Sequence, residues 1–139
     1  MIFHLSLLVD DLDTSVVFYR NVLGCEQGRR AATWVDIDFF GHQLSLHLGQ
    51  VGPTFHGTVD GVSVPMPHFG VILDMTEWRE LTERIAGAGV GFALPPYIRF
   101  EGTDHEQGSC FVADPAGNHL EFKGTNLDLL APTIQKVQP

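Results

Sequence analysis

The hydrophobic pattern changes period twice, and each change follows the same kind of opening. Phe3-His-Leu-Ser-Leu-Leu-Val-Asp10 alternates in part, as a half-buried strand does, and then gives way to helical spacing. His68-Phe-Gly-Val-Ile-Leu-Asp74 repeats that transition sixty-four positions later. The first helix is expected to start at Asp11 or Asp13 as N-cap, to carry Val16, Val17, Tyr19, Val22 and Leu23, and to stop at Gly24. For the second, Thr76 is the expected cap, Trp78, Leu81 and Ile85 the buried stripe, and Gly87 or Gly89 the end.

Each helix is followed by strand signals, at Thr33 to Phe40 and Gln43 to Leu48 in the first half and at Gly108 to Ala113 and His119 to Lys123 in the second. Phe40-Gly41-His42 and Asp114-Pro-Ala-Gly-Asn118 supply the turns, the latter because Pro fixes φ while Gly and Asn tolerate positive φ. Aligning Gly41 with Gly117 pairs Ser45 with Glu121 and widens the offset to seventy-six. The twelve extra residues fall around Leu94 to His105, which reads as an extended hairpin over the site. Gly49 to Pro67, rich in Gly, Pro and Thr, lacks either period and reads as a connecting loop. The predicted architecture is α+β: one domain of two tandem βαβββ modules, which the family resemblance given below implies form a curved mixed sheet around a metal cleft. Module 1 spans about 2–48, the linker 49–66, module 2 about 67–124 and a tail 125–139, with an apolar patch at Leu127 to Leu130.

Composition narrows the classes. At 139 residues with 44% apolar content, the chain closes a core without staples. A formal charge of −9, with eight Lys and Arg placed singly, repels phosphate backbones and anionic lipid, so neither nucleic acid nor membrane is an expected partner. Apolar runs are too short for a bilayer span, and the first residues read as a strand without a basic leader, so a cytoplasmic location is expected. Cys25 and Cys110 lack a close-spaced partner, which fits neither a disulfide framework nor a thiolate metal site; both are expected reduced and partly buried.

The repeat also selects the candidate chemistry. It gives His4 and His68 equivalent places on the opening strands, and Ser45 and Glu121 on the closing ones. A strand histidine by itself is a packing residue more often than a ligand; two at matched positions, with a carboxylate where the repeat calls for a ligand, point to a metal. Two imidazoles and one carboxylate make the facial triad that leaves positions open for Fe(II) chemistry with O2 and a chelating substrate. Glu121, set between Leu120 and Phe122, would be costly to bury without a positive partner.

The opening Phe3-His-Leu-Ser-Leu-Leu-Val-Asp-Asp-Leu-Asp with Phe18-Tyr19 and Val22-Leu-Gly24, and the closing Asp114-Pro-Ala-Gly-Asn-His-Leu-Glu121-Phe-Lys, resemble the two signatures of the vicinal oxygen chelate superfamily. That superfamily contains glyoxalase I, extradiol ring-cleaving dioxygenases, fosfomycin-resistance enzymes and bleomycin-binding proteins. The resemblance covers residues 2 to 124. Trp34-Val-Asp-Ile-Asp-Phe-Phe-Gly-His-Gln-Leu, Val64-Pro-Met-Pro-His-Phe-Gly-Val and Ile98-Arg-Phe-Glu-Gly are similar to a small bacterial group described, by inference, as extradiol-type dioxygenases. The resemblance implies paired βαβββ modules around a cleft, one divalent metal on His4, His68 and Glu121, and a homodimer. Ser45 departs from glyoxalase I, which carries a carboxylate ligand there.

Other residues are placed by phase and context. His47, two residues after Ser45, shares its face and is a candidate general base, with a structural role as the alternative. His119 is in phase with Glu121 but lies beside the turn, which favours a surface role; His42, His56 and His105 read as solvated turn or loop residues. Arg99 is a candidate clamp for a substrate carboxylate, against a surface salt bridge with Glu101 or Glu106. Tyr97 is a candidate hydrogen-bond donor to an intermediate, Ser45 a candidate substrate contact. Gly87-Ala-Gly-Val-Gly91 closes a helix and enters a strand, the reverse of a phosphate-binding loop.

The expected function is an Fe(II)-dependent extradiol-type dioxygenase, an oxidoreductase taking O2 and a small catechol-like diol. Two alternatives stay open. One is a glyoxalase-like or fosfomycin-resistance-like enzyme using Mn, Ni, Zn or Mg as a Lewis acid; the scarcity of Lys and Arg near the motifs argues against a phosphonate substrate. The other is a non-catalytic, bleomycin-type drug-binding protein with an acidic cleft.

Overall fold

A computed structural model describes residues 1–129. The fold is mixed α+β and repeats a βαβββ module, each module supplying a four-stranded sheet of the same order. The chain divides into two compact units. One comprises Met1–His68 with Ala113–Leu120, the other Phe69–Val112 with the chain from Glu121 onward.

In the first unit, strand β1 (His4–Val9) leads into helix α1 (Leu12–Val17), which runs on as a π-helical turn over Phe18–Val22. Asp11 caps α1, its carboxylate accepting from the Thr14 amide at 2.8 Å. The π turn corrects the expectation of one continuous α-helix. Its wider winding sends Phe18, Tyr19, Val22 and Leu23 all to the core, while Val17 stays exposed. Strands β2 (Glu26–Arg30), β3 (Trp34–Phe39) and β4 (His42–Leu48) complete a sheet of order β1-β4-β3-β2, parallel at β1–β4 and antiparallel elsewhere.

Register sorts this sheet into two faces. Leu5, Leu7 and Val9 pair with Leu44, Leu46 and Leu48, and Leu44 and Leu46 pair with Ile37 and Val35. Val9, Leu44, Leu46, Ile37 and Val35 are fully buried and share the core with Leu12, Val16 and Tyr19, while Leu5 and Leu7 are half-buried and Leu48 is exposed. The opposite face is polar. The turn at 114–118 also belongs to this unit: Tyr19 donates its hydroxyl to Asp114 Oδ2 at 2.9 Å, and Asn118 Nδ2 donates to the Leu8 carbonyl at 2.9 Å. Burial first, then the Asp114 carboxylate, pushes the Tyr19 phenol well above its ordinary pKa.

The segment expected as a plain loop contains a hairpin, β5 (Phe55–Val59) and β6 (Val62–Met66), turned at Asp60-Gly61, both at positive φ. Asp-Gly is a strong two-residue hairpin signal; Gly57 and Pro65 obscure the strand alternation on either side. The Met66–Pro67 peptide is cis.

In the second unit, β7 (His68–Asp74) leads into helix α2 (Met75–Gly87), followed by β8 (Leu94–Arg99), β9 (Gln107–Ala113) and β10 (His119–Thr125) in the order β7-β10-β9-β8. Asp74, not Thr76, is the cap. Its extended backbone ends the strand, and its carboxylate accepts from the Thr76 amide at 3.2 Å, so the helix begins earlier than expected. Met75, Trp78, Leu81 and Ile85 form the buried stripe. Trp78 donates Nε1–H to the Phe122 carbonyl at 2.8 Å, and its indole lies against Gly108 and Gly124. The twelve-residue expansion is part of the sheet: β8 pairs with β9 as its edge strand, and only the turn beyond Arg99 projects. Of the tail apolar patch, Leu127 and Leu129 are exposed and Leu130 lies outside the described residues. Among the described residues no helix is long and apolar enough to cross a membrane.

Candidate functional site

Strand register gathers the chemistry of the first unit on the polar face of its sheet. His4 and Ser6 on β1 pair with Gln43 and Ser45 on β4, and Ser45 and His47 pair with Asp36 and Trp34 on β3. Partners in register share a side, so these seven residues form one surface. His4 Nε2 and the Ser6 hydroxyl lie 3.3 Å apart. Ser45 donates its hydroxyl to Asp36 Oδ1 at 2.6 Å, while Asp36 Oδ2 receives Arg29 at 3.3 Å and Gln43 Nε2 at 3.5 Å. The Arg29 guanidinium also lies 5.7 Å from the centre of the Trp34 ring.

Asp36 is a site residue that the sequence pattern did not single out. A signal was present, since Trp34, Asp36 and Asp38 alternate with Val35, Ile37 and Phe39 and so mark the polar face of β3. Its significance lies in cross-strand partners that one strand cannot show.

His68 has a defined ring orientation. Its Nδ1 lies 2.7 Å from the Pro65 carbonyl. A carbonyl can only accept, so Nδ1 is the donor and the ring is oriented from that side. Pro65 is the cross-strand partner of His56, which places His56 on β5 and corrects its reading as a loop residue. Burial first, then the neighbouring His56 imidazole, lowers the pKa of His119, with Asp114 acting in the opposite sense; His119 is half-buried and is not the surface residue expected. His42 also departs from the solvated reading, since its Nδ1 accepts the Phe3 amide at 3.0 Å. His105 lies in an exposed turn, as expected.

In the second unit, Glu121 alternates with the buried Leu120 and Phe122 and faces away from α2. Its side chain is 11% exposed and stands 3.5 Å from Lys123 Nζ. Tyr97 and Arg99 pair with Ser109 and Gln107, so both lie on one face of the β8–β9 ladder, with the Arg99 guanidinium 5.8 Å from the centre of the Tyr97 ring. Glu106 is bound by Arg79 at 2.6 Å; that hydrogen bond holds its carboxyl below the ordinary range. Cys25 and Cys110 are free and buried.

His4, His68 and Glu121 thus stand on β1, β7 and β10. Among the described residues no three His, Cys, Asp or Glu side chains stand together as a metal-binding group within one chain. The donor types still suit a divalent cation: a tautomer-fixed imidazole, a second imidazole on a sheet edge, and a carboxylate mostly withdrawn from water.

The model of the glyoxalase/bleomycin resistance protein/dioxygenase superfamily matches residues 1–122. Among solved structures, a glyoxalase/bleomycin resistance protein/dioxygenase from Alicyclobacillus acidocaldarius is 34% identical with a TM-score of 0.76, over 94% of this chain and 95% of the other. Two more distant structures share the fold. The genomically encoded fosfomycin resistance protein FosX from Listeria monocytogenes is 20% identical with a TM-score of 0.67, over 92% and 95% of the two chains. Lactoylglutathione lyase from Agrobacterium tumefaciens is 23% identical with a TM-score of 0.63, over 91% and 95%. No curated protein sequence matches the chain. Since the family model spans nearly the whole described chain and the repeated module has the same sheet order twice, the protein belongs to the glyoxalase/bleomycin resistance protein/dioxygenase superfamily.

Proposed function

We propose that the chain is a cytoplasmic, homodimeric, metal-dependent extradiol-type dioxygenase, taking O2 and a small vicinal diol at a site whose metal ligands are His4, His68 and Glu121. The observation that carries this reading is the His68 ring, whose orientation is held by the hydrogen bond that Nδ1 donates to the Pro65 carbonyl at 2.7 Å, as a metal-ligating imidazole is held from its other nitrogen. Glu121 supports it only as a donor type, a carboxylate mostly withdrawn from water on β10. Fe(II) held there would supply Lewis acidity toward the diol oxygens and electrons for O2, whereas Mn, Ni, Zn or Mg would supply the Lewis acidity alone.

The chain's own side chains do the rest. His47, half-buried on the polar face with Ser45, takes the first diol proton on its ring nitrogen. Ser45 contacts the substrate from the same face. Arg99, seated over Tyr97, grips a substrate carboxylate through its two-pronged guanidinium, and the Tyr97 hydroxyl donates to a substrate oxygen.

Anaerobic loading with Fe(II), followed by admission of oxygen with a panel of catechols, tests the reading. Oxygen uptake should match diol consumption and vanish in His68→Ala. Full metal loading without uptake on any diol rejects it, and oxygen-independent turnover with Mg or Mn would assign the chain to Lewis-acid chemistry.

A further inference from the structure

The polar face of the first sheet has a built-in hydrogen-bond polarity. Ser45 and Asp36 are cross-strand partners, and the single proton of Ser45 goes to Asp36 Oδ1 at 2.6 Å. The other carboxylate oxygen is held by Arg29 at 3.3 Å and Gln43 at 3.5 Å, and Arg29 makes it an ion pair. Both Asp36 oxygens act as acceptors, one toward Ser45 and the other toward Arg29 and Gln43, so Ser45 keeps only lone pairs for any further partner. The pair forms a floor, with Asp36 8% and Ser45 6% exposed, while longer side chains stand higher on the same face: His4 and Arg29 are exposed, and Gln43, Trp34 and His47 half-buried.

We infer that Asp36 is a positioning residue acting through Ser45: by taking the Ser45 proton it makes this face select a ligand through an O–H or N–H donor and disfavour an anionic oxygen at that point. The ligand class is therefore a neutral hydroxyl-bearing molecule where it meets Ser45, a phenol or diol still protonated there. The inference rests on the proposed function only in taking this face as the ligand-bearing one; it does not depend on the metal or the reaction. A hydroxyl free to rotate would serve donors and acceptors alike.

Trp34 supplies the readout, being two residues from Asp36 on the same strand face, whereas Trp78 is buried on the inner face of α2 and serves as a constant background. Catechol and 1,2-dimethoxybenzene, the latter with no proton on its oxygens, are titrated into the metal-free protein, following Trp34 emission, and Fe(II) is added only for the oxygen-uptake arm. Wild type should favour catechol. Asp36→Asn and Ser45→Ala should each shrink that preference by about tenfold, the worth of one hydrogen bond. The double variant should shrink it no further, because one bond is being removed twice. Should Asp36→Asn fail to fold, Ser45→Ala carries the same comparison. An unchanged preference in folded variants, additive losses in the double variant, or no wild-type preference overturns the inference. Catechol binding with the predicted variant pattern but no oxygen uptake once oxygen is admitted would leave it standing and reject the dioxygenase reading alone.

Discussion

Cys110 lies on β9 with no exposed surface, and burial pushes its thiol up to about 12, with the Glu121 carboxylate adding to the rise. The folded state therefore keeps a proton that the unfolded chain releases near the ordinary value of 9.0. Between those two values the unfolded state binds fewer protons, so stability must fall as pH rises. Urea unfolding across this window should show a declining midpoint, and Cys110→Ala should flatten part of the decline; an identical slope in the variant would contradict the assignment. Glu121 illustrates the reverse relation between sequence and structure. Its isolation between Leu120 and Phe122 was legible as a charge needing a partner, and Lys123 stands at 3.5 Å. Nothing in a linear reading, however, could pair Asp36 with Ser45, since nine residues and a turn separate them and only the β3–β4 register joins them.

At the scale of elements, α2 is seated by one large residue between two absent side chains. A Cβ on Gly108 would lie 2.7 Å from three Trp78 ring carbons, and one on Gly124 would lie 2.7 Å from the same indole. Trp78 cannot retreat without breaking its bond to the Phe122 carbonyl. Gly108→Ala should accordingly cost about 1–3 kcal/mol through overpacking, seen as a lower thermal midpoint with altered tryptophan emission. No change in either would show that the helix rides more loosely than its contacts imply. The apolar stripe of α2 was readable because Trp78, Leu81 and Ile85 recur at helical spacing. The β5–β6 hairpin was not, because Phe55-His-Gly-Thr-Val and Val62-Ser-Val-Pro-Met bury little and so carry no clean alternation; only Asp60-Gly61 announces it. The π turn was hidden for another reason. Phe18, Tyr19, Val22 and Leu23 fit a helical stripe in either winding, and the choice between windings belongs to packing against the sheet.

For the whole molecule, the repeat was the most informative sequence feature, because a strand-to-helix transition occurring twice predicts two sheets of like order, and β1-β4-β3-β2 is answered by β7-β10-β9-β8. The candidate ligand types were legible from the same repeat; their positions in space were not, because spacing along a chain carries no distance between strands. The proposed metal centre rests on His4, His68 and Glu121 together. Anaerobic calorimetric titration with Fe(II) tests this most directly. The wild type should bind Fe(II) tightly, and folded His4→Ala, His68→Ala and Glu121→Ala should each lose at least about tenfold in affinity. Undiminished binding in any one of the three would contradict a metal centre built on these ligands.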